Sequence, residues 1–386
     1  MNDKLHLKNF TGQGPNHRRY IRYCLILALF LALCSCKQMT SLSDAITQPS
    51  AREVYERNYS LENKAYAAWQ KAFANALNDS VMINLPYKQV GKFSSVEPTV
   101  LSFSLALKEG ERLVVSLQTD SITSSFLSLY KYDESKKMDL LLENKPNASS
   151  LSYIIKESGK YKLLLQPQLF ANTEYTLLIR RRPTYYFPVS GKDNSAVQSF
   201  WGAPRAGGTR QHEGIDIFAA RGTPVVAATD GRVVSTRNQG LGGKQVWLAD
   251  GLFGNRLYYA HLDSIIASAG QKVTVGDTLG LVGNTGNAKT TAPHLHFGIY
   301  KSKAVDPYPF VKKIEPLPSF ELNNPTTDGI IKAAKAKVRQ GNSVKSTKLK
   351  TLKEQDTVQI LGYTKNWVHV RDQNGTAGYV YKNLLQ

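Results

Sequence analysis

Between residues 81 and 183 the apolar side chains alternate with a period of two. The runs are LSFSLAL (101–107), RLVVSL (112–117), FLSLYKY (126–132), YIIK (153–156), YKLLLQ (161–166) and YTLLI (175–179). Successive side chains of an extended chain face opposite sides, so each run reads as a strand with one apolar face. The turn signals KEGE, DES, NKPN and ESGK separate them. Six to eight short strands with regular turns predict an antiparallel β-sandwich over 81–185. No cluster of acids or histidines marks a site there, so the expected role is as a spacer, a docking surface or a substrate-binding surface.

The flanking segments differ in period. Residues 36–80 read as a polar tether followed by a helical stretch, 50–78. In that stretch Tyr55, Tyr59, Tyr66, Trp69, Phe73 and Leu77 recur at three-, four- and seven-residue spacings, which is one face of a helix. Residues 186–315 are Gly-rich and carry no long helical period, which predicts a mostly antiparallel sheet with a cleft. Pro316, Pro318 and Pro325 then mark a semi-rigid linker, 316–330. The last segment, 331–386, contains AKVRQGNS (336–343), TVQILGYTKNWVHVR (357–371) and NGTAGYVYKNLL (374–385). It resembles a bacterial SH3-like domain, a small β-barrel, with Asn374-Gly375 as a hairpin turn. Trp367 and Tyr379 either line a peptide groove or complete the barrel's core. The expected class is a mainly β, multidomain chain with an N-terminal helical segment.

Chemistry concentrates in the Gly-rich region. Of the seven histidines in the chain, four fall there: His212 in HEGID, His261 in YYAHL, and His294 and His296 in HLHFG. On a strand His294 and His296 share a face. His212 and Asp216 are also an even number of residues apart. Gly214 and the β-branched Ile215 and Ile217 argue against a helix at that point. Two imidazoles and a carboxylate form a three-ligand zinc set with a fourth position open, which is the catalytic pattern. The two remaining histidines are then free for proton transfer. His6, His17 and His369 read as structural or exposed. The glycines at 207, 208, 240, 242 and 243 read as hairpin turns and cleft loops, since no Lys-Ser/Thr follows them as in a phosphate loop.

Residues 199–310 resemble the lysostaphin/LytM-type zinc metallopeptidases. The resemblance rests on SFWGAPRAGGTRQHEGIDIFAARGTPVVAATDGRVV (199–234), YYAHL (258–262), GDTLGLVGNTGNA (276–288), PHLHFGIY (293–300) and VDPYPF (305–310). It implies an endopeptidase acting on peptidoglycan, with one zinc ion per chain held by His212, Asp216 and His296. It implies that His261 and His294 are the catalytic pair. Relatives that only activate other hydrolases lack some of these residues, and here every position is filled. Arg210 and Trp367 are candidate substrate contacts. At the module level the SH3-like resemblance implies cell-wall targeting, which raises the local substrate concentration around a tethered site. Two other readings are a non-catalytic wall-binding activator of another hydrolase and a general protease acting on Gly-rich proteins.

The N-terminus indicates location. Lys4, Lys8, Arg18, Arg19 and Arg22 precede the apolar run CLILALFLAL (24–33), the pattern of a signal peptide rather than of a membrane span. Leu33-Cys34-Ser35-Cys36 resembles a bacterial lipobox, with 1–35 as the signal and Cys36 as the lipidated residue. Cys34 fits less well, because Leu33 would precede it. Plain signal-peptidase cleavage is the alternative. Lys37 then favours the outer membrane, facing the periplasm. The three cysteines are Cys24, Cys34 and Cys36, so no disulfide framework is expected. A net charge of +19 suits anionic partners such as membrane surfaces and carboxylate-bearing wall peptides. The export signal argues against nucleic acid. An unregulated wall hydrolase endangers its own cell, so a regulatory protein partner is expected.

Overall fold

The computed structural model describes residues 43–133, 137–252, 254–314 and 316–386. The signal read at 1–35 and the lipidation site Cys36 lie outside the described residues. Among the described residues no helix is long and apolar enough to cross a membrane.

Residues 43–47, read as part of the tether, are helical, and the single stretch 50–78 is corrected to two helices. The first, Ala51–Glu56, starts with a reciprocal cap. Ser50 Oγ accepts from the Glu53 amide, and the Glu53 carboxylate accepts from the Ser50 amide at 2.7 Å. The second, Lys64–Ala76, starts at Asn63, whose side-chain oxygen accepts from the amides of Ala65 and Tyr66. Asn63 offers the backbone a local partner, so the chain turns before it and restarts after it. The aromatic face survives the break. Tyr55, Tyr59, Tyr66 and Trp69 pack together with Phe126 of the next domain. Trp69 Nε1 donates to the Pro167 carbonyl at 2.8 Å, which fixes the helices onto the sheet.

The alternating runs form eight strands in two layers. One layer has the order Tyr87–Lys92, Glu174–Pro183, Glu111–Thr119, Ser150–Ile154. The other has the order Leu101–Leu107, Gly159–Pro167, Ser125–Tyr132, Met138–Glu143. The inward residues Leu113, Val115, Leu177 and Ile179 meet Phe103, Leu105, Leu163 and Leu165 across the core.

The C-terminal barrel is not a separate bead. Strand Thr357–Thr364 pairs with Tyr87–Lys92 through Val90 and Tyr363, so the barrel continues the first layer into a ten-stranded sheet. A buried polar seam locks the two together. Gln89 Nε2 donates to the Leu361 carbonyl at 3.1 Å and to Tyr175 Oη at 2.7 Å. The hydroxyls of Tyr87 and Tyr379 lie 2.7 Å apart. Arg371 pairs with Asp79 at 2.7 Å. Tyr379 is fully buried in this seam, so it lines no open groove. Trp367 is half-buried against the sandwich core. Asp328–Ile330, inside the segment read as a linker, is a strand paired with Thr357–Thr364.

The region 197–305 builds three further sheets, the smallest being the pairing of Pro204–Arg205 with Arg210–Gln211. An eight-stranded sheet runs in the order Lys272–Val273, Gly231–Asn238, Lys244–Ala249, Arg256–Leu262, His294–Tyr300, Ile215–Phe218, Val197–Ser199. Ala304–Val305 pairs with His294–Tyr300. A three-stranded sheet of Pro224–Val226, Thr278–Leu281 and Ser264–Ile265 lies beside it. This unit meets the sandwich at Gly110, where φ is +87° and an added Cβ would fall 2.2 Å from the Phe310 ring. Only glycine satisfies both conditions.

His369 adds a pH dependence to the seam. It is fully buried and stacked on Tyr379, with Nδ1 3.3 Å from Gln89 Oε1. Burial, with help from Arg371, holds its imidazole down to about 3. An unfolded histidine takes its proton near pH ~6.5. Below that pH the unfolded state binds a proton that the folded state refuses, so stability is full above pH ~6.5 and falls as the pH drops toward 3. Between pH 7 and pH 5 this group should remove about 2 kcal/mol. Urea midpoints of the parent and of His369→Gln at both pH values test this, and the variant should show the shallower fall.

Candidate metal centre

Strand register assembles the site. Ile215–Phe218 pairs antiparallel with His294–Tyr300 so that Asp216 lies opposite His296 and Phe218 opposite His294. Residues directly opposite on paired strands share a face. Asp216, Phe218, His294 and His296 therefore all project into the cleft, while Ile215, Ile217, Leu295 and Phe297 enter the core. His212 precedes the strand. Its amide donates to the Ala203 carbonyl at 2.8 Å, and its carbonyl accepts from the Gly202 amide at 2.9 Å.

Three ligand atoms converge. His212 Nε2 lies 3.0 Å from Asp216 Oδ1 and 3.0 Å from His296 Nδ1, and His296 Nδ1 lies 3.1 Å from Asp216 Oδ1. The tautomer of His212 follows from its other nitrogen. Nδ1 lies 3.0 Å from the Phe200 carbonyl, which can only accept, so Nδ1 carries the proton and Nε2 presents a lone pair. A lone pair, a carboxylate oxygen and a second imidazole nitrogen facing one another form a donor set that one cation can bridge. Tetrahedral zinc with bonds of about 2.0–2.1 Å separates its ligands by about 3.3 Å, close to what is seen. Burial raises the Asp216 carboxyl, but the hydrogen bonds and charges of His212 and His296 outweigh it and the net shift is downward. Burial lowers the His296 imidazole despite Asp216. The donor set His212, Asp216 and His296 thus fits one zinc ion.

Gly214 makes room for this. A Cβ there would lie 2.6 Å from His296 Cε1 and 2.7 Å from the Phe297 carbonyl oxygen, closer than real contacts allow.

His261 reaches the cleft by a different device. On strand Arg256–Leu262, Leu257 and Tyr259 enter the core, while Tyr258 and Ala260 line the cleft. Strict alternation would send His261 into the core. The register with Lys244–Ala249 slips instead: Val246 opposes Tyr259 but Lys244 opposes Leu262. This is a β-bulge, which re-aims a side chain. His261 takes φ +63°, unusual for a residue with a Cβ, and turns to the cleft, while Leu262 returns to the core. His261 Nδ1 donates to the Thr285 carbonyl at 2.9 Å and His294 Nδ1 to the Ala292 carbonyl at 2.8 Å. Each Nε2 therefore presents its lone pair, and that of His294 lies 4.0 Å from Asp216 Oδ1. Burial, then the neighbouring His296 and His294, hold the His261 imidazole down to about 4. The rings of His261 and His294 are 5.1 Å apart.

The structure brings together all five histidine and aspartate candidates in a cleft of about 640 Å³, lined by residues between Ser199 and Tyr300. No residue of the sandwich lines it. Arg210 lies on its exposed rim, and Trp367 does not line it. Sequence reading did not single out Arg205, which bonds to Asp216, or the wall of Trp247, Tyr258 and Tyr300, whose rings are 4.4–6.3 Å apart. Arg205 faces Arg210 across a two-residue pairing. Only the hairpin brings it near Asp216, and no spacing in the sequence signals that contact.

Residues 210–307 match Peptidase family M23, and residues 334–386 match the bacterial SH3 domain family. Residues 210–307 are thus similar to M23 peptidase domains. The chain is 34% identical over 142 residues to the L-Ala--D-Glu endopeptidase of Bacillus subtilis, covering 33% of this chain and 43% of that protein. It is 44% identical over 87 residues to the peptidoglycan DD-endopeptidase ShyA of Vibrio cholerae, covering 22% and 19%. Against the solved catalytic domain of lysostaphin from Staphylococcus simulans the identity is 36%, covering 29% of this chain and 89% of that one, with a TM-score of 0.27. The chain spans less than half the length of these two curated relatives.

Gly214→Ala should displace His296 and weaken zinc binding at least tenfold. Titration of metal-free protein with zinc against a chelating indicator checks this, and unchanged affinity would show that the M23 domain's HEGID turn tolerates a methyl group.

Proposed function

We propose that this chain is a zinc-dependent endopeptidase that hydrolyses peptide cross-links of peptidoglycan and is anchored at the bacterial envelope through lipid on Cys36. The observation that carries the reading is the complete set in one open cleft. Three ligand atoms face one another, from buried His212 and Asp216 and part-buried His296, and two further histidines present Nε2 lone pairs beside them. A non-catalytic binder has no need of the second pair. The relatives named above as endopeptidases, one of them of peptidoglycan, support the same substrate class.

The residues divide the work. Zinc held by His212, Asp216 and His296 would polarise the scissile carbonyl and lower the pKa of water toward ~7. The Nε2 atoms of His261 and His294 accept a proton as water adds to the carbonyl carbon, and one returns it to the departing amine nitrogen. The Nδ1–carbonyl bonds hold both rings in the tautomer this requires. Arg210, exposed on the rim with no ion pair among the described residues, suits the carboxylates of wall peptides. Lys37 after Cys36 supports an outer-membrane, periplasm-facing position with the lipid as the membrane partner, and the basic charge suits anionic partners.

Digestion of purified sacculi with and without a chelator tests the activity. Cross-linked fragments should become monomers, and the chelator should stop it. Sacculi that are bound but left uncut by zinc-loaded protein would instead support the activator reading. His294→Ala should keep its zinc and lose turnover by roughly 10²–10⁴-fold, whereas His296→Ala should lose the metal. Cys36→Ser should move the protein out of the membrane fraction, and acylation that persists would point to Cys34.

A further inference from the structure

Asp216 is gripped on the side away from the ligand cluster. Its Oδ1 faces His212 and His296, while its Oδ2 accepts from Arg205 Nη2 at 2.8 Å. The same nitrogen donates to Ser199 Oγ at 2.6 Å. Ser199 Oγ in turn lies 3.3 Å from His212 Nδ1, which already donates to the Phe200 carbonyl. One guanidinium thus touches one ligand directly and a second through a hydroxyl.

We propose that Arg205 is a positioning residue of the metal site, holding Asp216 as a one-oxygen ligand through Oδ1 and setting the plane of the His212 ring through Ser199. The proposal rests on the zinc reading of the cluster. The groups that hold metal ligands in orientation commonly matter to metal affinity almost as much as the ligands themselves.

Two effects oppose each other. The positive charge of Arg205 draws on the carboxylate and weakens its pull on a cation. Without Arg205, however, Oδ2 loses its donor in a mostly buried setting, and the carboxylate is free to turn its second oxygen into the position left open for water. The Arg205 side chain is 31% exposed, so its charge is partly screened, while the geometric hold is not. Orientation therefore wins.

The hairpin explains why two arginines are present. Arg205 and Arg210 sit directly opposite each other in the pairing of Pro204–Arg205 with Arg210–Gln211. Like charges in that relation repel. Asp216 takes up one of them, which leaves the other free at the rim. The two cations thereby separate into one that serves the metal site and one that faces substrate.

The test uses the full chain stripped of metal, with zinc affinity read by competition against a chelating indicator. Arg205→Met should bind zinc roughly 10–100-fold more weakly, with unchanged melting of the metal-free protein. Arg205→Lys should recover most of the loss, because one ammonium can donate to both oxygens. Ser199→Ala should show a smaller loss, and Arg210→Met none. Parent-like zinc affinity in Arg205→Met would overturn the proposal. So would a loss that lysine does not restore together with lower metal-free melting, since Arg205 would then only prop up the hairpin. A parent chain that binds zinc but leaves sacculi intact would sink the endopeptidase reading and leave this one standing. A parent chain that binds no zinc would sink both.

Discussion

The pairing of Ile215–Phe218 with His294–Tyr300 is the constraint on which the rest depends. With Asp216 opposite His296, one cleft face receives both ligands, and His294 falls two positions along on the same face. A slip of one residue would send Asp216 into the core and Ile217 into the cleft. The buried Ile215, Ile217, Leu295 and Phe297 prevent that slip, because they fill the core only in this register. The hydrophobic core therefore sets the geometry of the metal centre, and Gly214 lets the chain pass close enough to His296 for His212 to arrive from outside the strand.

The cleft face departs from regular β-structure at His261. The bulge before Leu262 and the positive φ of His261 bring a residue of the wrong parity to the cleft. Such backbone costs of order 1–3 kcal/mol and persists only where the surroundings hold it. Here the His261 amide donates to Gly242, Nδ1 donates to Thr285, and Leu262 is clamped in the core. The sheet thus carries His261, His294 and His296, and His212 joins them from the turn before Ile215.

The sandwich and the small barrel form one continuous sheet with a hydrogen-bonded polar seam. The C-terminal SH3-like module therefore uses part of its surface to dock on the sandwich. Tyr379, one of its aromatic residues, is spent on the seam, so any wall contact must use another surface. Among the described residues, those lining the cleft all fall between Ser199 and Tyr300.

Much was legible in the sequence because it is periodic or local. Alternation over 81–183 gave the sandwich, since one apolar face per strand permits little else. The even spacing His294–His296 gave a shared cleft face, since parity on a strand fixes direction, whereas His212 lies before its strand and meets Asp216 from the preceding turn. Helix breaking at 57–63 was missed because a single cap, Asn63, outweighs a good aromatic stripe. Arg205, Trp247 and the parity change at His261 were missed because they depend on which strands become neighbours. The sequence by itself determined the strand faces, the donor types and the absence of disulfides after Cys36. Only the tertiary structure decided which nitrogen of each histidine presents its lone pair, which arginine meets Asp216 and where the barrel docks. Those depend on contacts between residues far apart in the chain, made when the sheets close over their cores.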